Sequence, residues 1–476
     1  MELIQKRMLT KETYIRRRAQ LLKALKGEEG VALFIGNVAS AAQYQDCAYK
    51  WRQDSTWLYL FGVDEPGLAA TIDLESGVTT LFGDDCELDD IIWNGPTPSI
   101  KDHAASAGIE RTAPLGSLAG AVKGRKVHFV PASRWYNAVQ LANLLGIKPE
   151  ETFRAGKDIA PKASVPLVRA LIGMRLVKDA GEIALIDAAC VLGQQMHTIA
   201  RKGVKIGAVE QDIVGAMEGY SLAKGWGVSF ETILTQHGEI FHCHSHAQKI
   251  EPGKLVVIDA GVESNDHYAS DFTRTYPTGG KWTAKQREIY QIVYECNALA
   301  FDLTRPGITY REVHLKAMEH MLARLGELGL VHGDPATLAA EGIAGLFCPH
   351  GLGHNMGLDV HDMEDYGENL VGYEDDQKRS GQLGLGSLRM ARHLQAGNVI
   401  TDEPGIYFIP ALIAQWKANG IGNGAVDFAR LEADYLDFGG IRLEDDVLVT
   451  PDGARRLGGP RLPASPDEIE EAMAAD

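Results

Sequence analysis

Several large protein classes are excluded by what this sequence lacks. Its six cysteines, Cys47, Cys86, Cys190, Cys243, Cys296 and Cys348, are scattered and include no CxxC pair, so a disulfide framework is not expected. No apolar run reaches the roughly 18 residues that a membrane span needs. The opening Met-Glu-Leu-Ile-Gln-Lys-Arg lacks the apolar core of a signal peptide, which predicts a cytoplasmic location. Basic charge is in deficit: 47 Lys and Arg against 64 Asp and Glu leave a net charge of −17. Nucleic acid and anionic membranes want a basic face, so neither is an expected partner. There is no GxSxG elbow, no GxxxxGK[ST] loop and no GxGxxG in a strand–turn–helix setting. Internal repeats and low-complexity segments are absent too.

What is present reads as a globular protein of at least two domains: 476 residues, 45% hydrophobic and 23% charged. In the first third, apolar runs at Val31–Ile35, Ala69–Ile72 and Val127–Val130 predict strands. Lys11–Leu25 and Asn137–Leu145 predict helices, giving an α/β layout. Ile159-Ala-Pro-Lys-Ala-Ser-Val-Pro166 marks a domain edge, placed between 160 and 175. Just beyond it, Asp179-Ala-Gly-Glu182 precedes a long apolar-periodic run and predicts a capping box. The second part reads as α+β. Helices are expected at 180–201, 206–224, 284–304, 309–328 and 335–345. Strands are expected at 228–235, 254–260, 267–276, 398–402, 405–409 and 440–449, paired antiparallel in a curved sheet with helices on one side. The predicted division is 1–170, 171–460 and a loosely ordered tail, 461–476, rich in Pro, Glu, Asp and Ala.

The chemistry-bearing residues lie in the second part. Leu255-Val-Val-Ile runs straight into Asp259, and burying a bare carboxylate at a strand end costs several kcal/mol. A second aspartate, Asp271, lies in the next strand-like run. A hairpin turning at Asn265, within Glu-Ser-Asn-Asp, sets the two carboxylates side by side, where like charges need a cation. The structural alternative pairs Asp271 with Arg274. Cys348–Asp362 holds His350, His354 and His361 among glycines, which let backbone approach a site closely. Glu403 precedes a proline and is held extended. In 440–449, Arg442, Glu444 and Asp446 share one face; a surface Arg442–Glu444 pair is the plainer alternative. Four carboxylates and one imidazole, with no thiolate, suit Mn²⁺, Co²⁺ or Zn²⁺. His242, His244 and His246 share a face if 240–246 is a strand, either as a metal cluster, as a pocket wall or as a polar edge. Ser387-Leu-Arg-Met-Ala-Arg-His393 supplies Arg389 and Arg392, either able to grip a substrate carboxylate.

Six motifs in order carry a family resemblance: Ile258–Glu263, Ser270–Pro277, His350–His354, Leu358–Asp362, Glu403–Tyr407 and Gly440–Asp446. Together they resemble the pita-bread metallopeptidases, in the branch of aminopeptidase P and prolidase. Arg52-Gln-Asp-Ser-Thr-Trp-Leu-Tyr-Leu-Phe-Gly-Val-Asp-Glu-Pro66 is similar to the creatinase-like N-terminal domain of that branch. The resemblance implies a C-terminal pita-bread fold, an antiparallel sheet with covering helices, behind an α/β N-terminal domain. It implies two divalent ions, Mn²⁺ foremost, with Asp259 on one, His354 and Glu403 completing the other, and Asp271 and Glu444 bridging. Glu403 would also act as general base. His361 and His242 would contact substrate, with His244 the alternative because Cys-His-Ser-His follows His242. His350 would line the pocket, Arg389 would bind the substrate's C-terminal side, and Arg442 would orient the carboxylates. The implied activity is hydrolysis of an N-terminal Xaa-Pro bond in a peptide, the alternative being an Xaa-Pro dipeptidase, and the implied assembly is a homodimer. The long stretch between Glu403 and Glu444 is closer to prolidases of the eukaryotic type. Creatinase-like hydrolases and non-catalytic binding modules of the same fold lose metal ligands, and none is lost here.

Overall fold

The computed structural model describes residues 9–44 and 46–476. It divides into two compact units, Met1–Arg175 with Met363–Val371, and Leu176–Asp362 with Gly372–Asp476. The predicted edge at 170/171 falls inside one continuous helix, Val165–Arg175, so the division comes after that helix. The short return of 363–371 carries no composition signal. It belongs to the first unit through particular contacts: the Tyr366 hydroxyl bonds the Thr56 hydroxyl, and Asn369 Nδ2 donates to Asp158 at 3.0 Å.

The first unit is built on a mixed sheet. Its strands are β1 (Val31–Ile35), β2 (Ala69–Asp73), β3 (Thr79–Phe82), β4 (Arg111–Ala113) and β5 (Val127–His128), in the order β4-β3-β2-β1-β5. β1 runs antiparallel to β2 and parallel to β5. Val31, Leu33, Ala69, Phe82 and Leu141 are among the residues of its core. Within the Arg52–Pro66 motif, Asp54 caps helix Ser55–Phe61 by accepting the Trp57 N–H at 2.9 Å. Gly62 ends that helix at φ +65°, where a Cβ would stand 2.0 Å from the Tyr14 ring.

The second unit combines helices with small antiparallel sheets. Its strands are β6 (Gly227–Val228), β7 (Ile233–Thr235), β8 (Leu255–Ala260), β9 (Val262–Glu263), β10 (Phe272–Pro277), β11 (Val399–Asp402), β12 (Gly405–Tyr407), β13 (Gly440–Arg442), β14 (Asp445–Val449) and β15 (Ala454–Arg456). They pair as β10-β8-β7, β11-β14-β15, β12-β13 and β6-β9, all antiparallel. Isolated bridges at Thr273–Glu444 and Asn355–Ile400 join these pieces. The helix after the predicted capping box runs Ala180–Gly203: Asp179 accepts the Glu182 N–H at 3.0 Å, and Glu182 accepts the Asp179 N–H at 3.2 Å. Helices Ala284–Leu303 and Tyr310–Glu327 open with the same device, and their apolar faces enter the main core.

Three differences from the expected elements have physical causes. The strand expected over 440–449 is two strands, because its partner is interrupted at Pro404. Proline has no N–H to continue a ladder, so β13 pairs with β12 and β14 with β11. The run expected over 228–235 is likewise split into β6 and β7. The tail expected to be loose ends in helix Pro466–Ala475. Ser465 and Glu468 cap each other's backbone, Ile469 is fully buried, and Arg201 pairs with Asp476. The polar composition of that segment hides a few apolar contacts at helical spacing.

Candidate metal centre

The hairpin of β8 and β10 brings Asp259 and Asp271 to one face, in a register two residues from mirror symmetry. Asp259 lies opposite Thr273, and Asp271 precedes that residue by two. Equal parity keeps both side chains on the same side of the ladder. The Pro404 break places the other two acids. Glu403 sits between β11 and β12, its N–H bonded to Leu352 O at 2.8 Å; Glu444 sits between β13 and β14, its N–H bonded to Thr273 O at 3.0 Å. His354 is held beside β11, its N–H donating to Thr401 Oγ1 at 3.1 Å. Its Nδ1 donates to Asn355 O at 3.1 Å, which turns Nε2 toward the acids. Nε2 stands 3.4 Å from Asp271 Oδ2 and 3.8 Å from Glu403 Oε1.

One ligand atom from each of Asp271, His354 and Glu444 lies within 4.8 Å of the others. Burial raises the Asp271 carboxyl well above the usual range, and Glu444, Asp259 and Glu403 push it further. Burial also raises Glu444, reinforced by Glu403 and Asp259. Glu403 is raised by burial to about 7, with Arg442 opposing and Asp259 adding. Asp259 Oδ1 and Asp271 Oδ1 are buried with no hydrogen-bond partner among the described residues. Crowded acids with orphaned oxygens beside an oriented imidazole fit a divalent cation, which would replace the protons that otherwise keep these groups neutral.

Both structural alternatives fail. Arg274 pairs with Asp445 at 2.7 Å rather than with Asp271. Arg442 and Glu444 are buried rather than a surface pair. Arg442 Nη2 donates to Asp259 Oδ2 at 2.5 Å, Nε to Thr273 Oγ1 at 3.2 Å and Nη1 to the Tyr407 hydroxyl at 2.8 Å. Thr273 in turn donates to Glu444 at 2.7 Å. Arg442 therefore holds carboxylates. It holds Asp259 directly and Glu444 through Thr273.

The histidines separate into roles. Arginine only donates, so Tyr407 accepts from Arg442 and gives its hydroxyl hydrogen to His350 Nε2 at 2.9 Å. His350 Nδ1–H then donates to Gly351 O at 2.8 Å. Burial, with Arg442 adding, depresses His350 to about 3, so it is neutral in this chain of bonds. The half-buried His361 has its ring centroid 4.2 Å from that of His354. The 240–246 segment is a turn and loop rather than a strand. His246 is buried with Nδ1 bonded to Leu234 O, and His244 Nδ1 lies 3.5 Å from Glu231, so the three do not form a metal cluster. His242 lies on the site side: desolvation lowers its pKa, while Asp259 raises it and Arg442 lowers it. Arg389 is near enough to lower both Glu403 and His350. Tyr407 and Thr273 were not singled out from the sequence. The signal was available, since Tyr407 shares strand parity with Glu403, and Thr273 with Asp271.

A carboxylate-rich centre on an antiparallel α+β scaffold defines a metallohydrolase class, and comparison with known proteins makes it specific. Residues 184–451 match the model of metallopeptidase family M24, and residues 14–126 match the aminopeptidase P N-terminal domain. The chain belongs to metallopeptidase family M24. It is 29% identical to a human Xaa-Pro dipeptidase over 90% of this chain and 85% of that one. It is 30% identical to a probable Xaa-Pro aminopeptidase of Aspergillus clavatus, over 94% of each. Among solved structures it is similar to aminopeptidase PepP of Pseudomonas aeruginosa, with TM-score 0.78, 27% identity and 98% of each chain covered. It is also similar to a glutamate-to-alanine variant of Escherichia coli aminopeptidase P in complex with substrate, with TM-score 0.77, 26% identity, and 98% and 99% covered.

Proposed function

We propose that this protein hydrolyses the Xaa-Pro bond at the N-terminus of peptides, using two divalent ions, Mn²⁺ foremost. The observation that carries the reading is the five-residue set Asp259, Asp271, His354, Glu403 and Glu444, gathered around carboxylate oxygens that lack partners. Asp259 would hold one ion, His354 and Glu403 the other, and Asp271 and Glu444 both. The ions supply Lewis acidity at the scissile carbonyl and lower the pKa of water. The rest falls to the chain's own groups. Glu403 takes the proton of the attacking water and returns it to the leaving proline nitrogen. His361 and His242 flank the site and donate hydrogen bonds to the oxygen that gains charge. Arg389 draws the carboxylate end of the substrate. Neutral His350, fixed by Tyr407, walls the pocket beside Glu403.

An Xaa-Pro dipeptidase is the second reading. It is favoured by the likeness to the human Xaa-Pro dipeptidase and by the long stretch between Glu403 and Glu444, which carries helices Pro410–Asn419 and Phe428–Asp434. Side-by-side assay of Gly-Pro and Gly-Pro-Ala distinguishes the two. An aminopeptidase cleaves the tripeptide faster; a dipeptidase prefers Gly-Pro. We also propose a homodimer, which light scattering tests as twice the chain mass.

A further inference from the structure

The segment 354–362 carries His354 at one end and His361 near the other, and the two ends are anchored differently. The His354 end is laced to β11. Thr401 N–H donates to His354 O at 3.0 Å, and Met356 N–H to Val399 O at 3.1 Å. Beyond it the chain turns through Gly357, where the Ala269 N–H bonds Gly357 O at 2.9 Å, and comes back so that the Asp362 N–H closes onto Asn355 O at 2.9 Å. At Asp362 a charged side chain takes hold: Lys178 Nζ meets Asp362 Oδ2 at 2.9 Å, with both side chains essentially unexposed, 0% and 1%. The carboxylate is backed by Gly357, where a Cβ would stand 2.7 Å from Oδ2. Lys178 is itself fixed, its N–H donating to Gly397 O at 2.8 Å, immediately before the capped helix Ala180–Gly203.

A fully buried Lys–Asp pair is a poor source of stability, because desolvation offsets its attraction, and apolar replacements of similar volume are often neutral or better. What such a pair does supply is a fixed position. We infer that Lys178 is a positioning residue for His361, acting through Asp362 to hold the 357–362 return beside the metal centre. The inference rests on the reading of the site as an Xaa-Pro peptidase centre with His361 against the substrate. His354 has its own anchorage on β11, so loss of Lys178 should move His361 and spare metal binding.

The test is a mutant cycle on an Xaa-Pro peptide that the wild-type protein hydrolyses. The paired variant Lys178→Met/Asp362→Leu is expected to melt near the wild type and keep its metal content by elemental analysis. It is expected to lose about 10- to 100-fold in kcat, the scale of an ångström misplacement. Lys178→Arg should recover to within about threefold of wild type, since arginine also reaches the carboxylate. In a His361→Asn background the paired variant should cost less than about twofold, because the group being positioned is already gone. Should the paired variant not fold, Lys178→Gln alone carries the cycle. Equal losses in both backgrounds, unchanged kcat or lost metal would overturn the inference. A metal-loaded wild type with no Xaa-Pro activity would instead overturn the reading on which it rests.

Discussion

At the scale of single residues, the centre works by placing acids where they cannot all be charged. Glu403 shows the consequence most plainly, since burial lifts it to about 7 in the metal-free protein. Glu403→Ala is expected to lower kcat by at least about 10²-fold, the usual contribution of a general base. Steady-state assay at saturating metal checks this, and an unimpaired variant would refute the assignment. Tyr407 offers a second test. Its hydroxyl accepts from Arg442 and donates to His350, so Tyr407→Phe leaves two buried groups short of a partner. Urea unfolding should register a loss of about 1–3 kcal/mol. kcat/KM should fall as well, because Arg442 also grips Asp259.

At the scale of elements, two strand interruptions make the site. Pro404 splits one hairpin into two, and Glu403 and Glu444 occupy the gap between the ladders. The reverse face of the same strands is tied by Asp445, which receives Arg274 at 2.7 Å, Arg456 at 2.9 Å and Arg461 at 2.7 Å, and burial's upward push on its pKa is overcome by these arginines. Asp445→Ala would leave Arg274 buried without its carboxylate and is expected to destabilise the protein by about 3–5 kcal/mol. Arg461→Ala, at a partly exposed pair, should cost about 1 kcal/mol or less. Denaturant melts of both variants check the contrast. Strand parity in 440–449 was legible from alternation alone: Arg442 and Glu444 face the acids, and Asp445 faces the arginines. Which arginine Asp271 or Asp445 would take was not, because Arg274 and Asp445 are 171 residues apart and only the fold brings them together. The turn centred on Asn265 was close for a similar reason: residue types mark a turn, but the two-residue register offset is set by the packing of the β8–β10 ladder.

At the scale of the whole molecule, the return of 363–371 and the C-terminal helix left no signal in the composition of the sequence. Both depend on particular contacts, such as the Tyr366–Thr56 hydrogen bond and the burial of Ile469, that composition averages away. The acids also couple the centre to global stability. Glu403, Glu444 and Asp271 have folded pKa values above their unfolded ones, so the metal-free folded state binds extra protons. Their contribution is fully present below about pH 4 and is lost as pH rises through about 7 and beyond. A divalent ion takes the place of those protons and binds more tightly as pH rises. The rise in Tm on adding Mn²⁺ to chelator-treated protein should therefore be larger at pH 7.5 than at pH 5.5, by on the order of a few kcal/mol of stability. Calorimetry at the two pH values reads the difference, and a larger rise at the acid pH would contradict it. The central claim is tested most directly by assaying the purified, Mn²⁺-loaded protein on Gly-Pro and Gly-Pro-Ala, with Gly-Ala-Ala as control. The account predicts cleavage before proline that stops on chelation and returns with Mn²⁺; metal-loaded protein that cleaves neither proline peptide would contradict it.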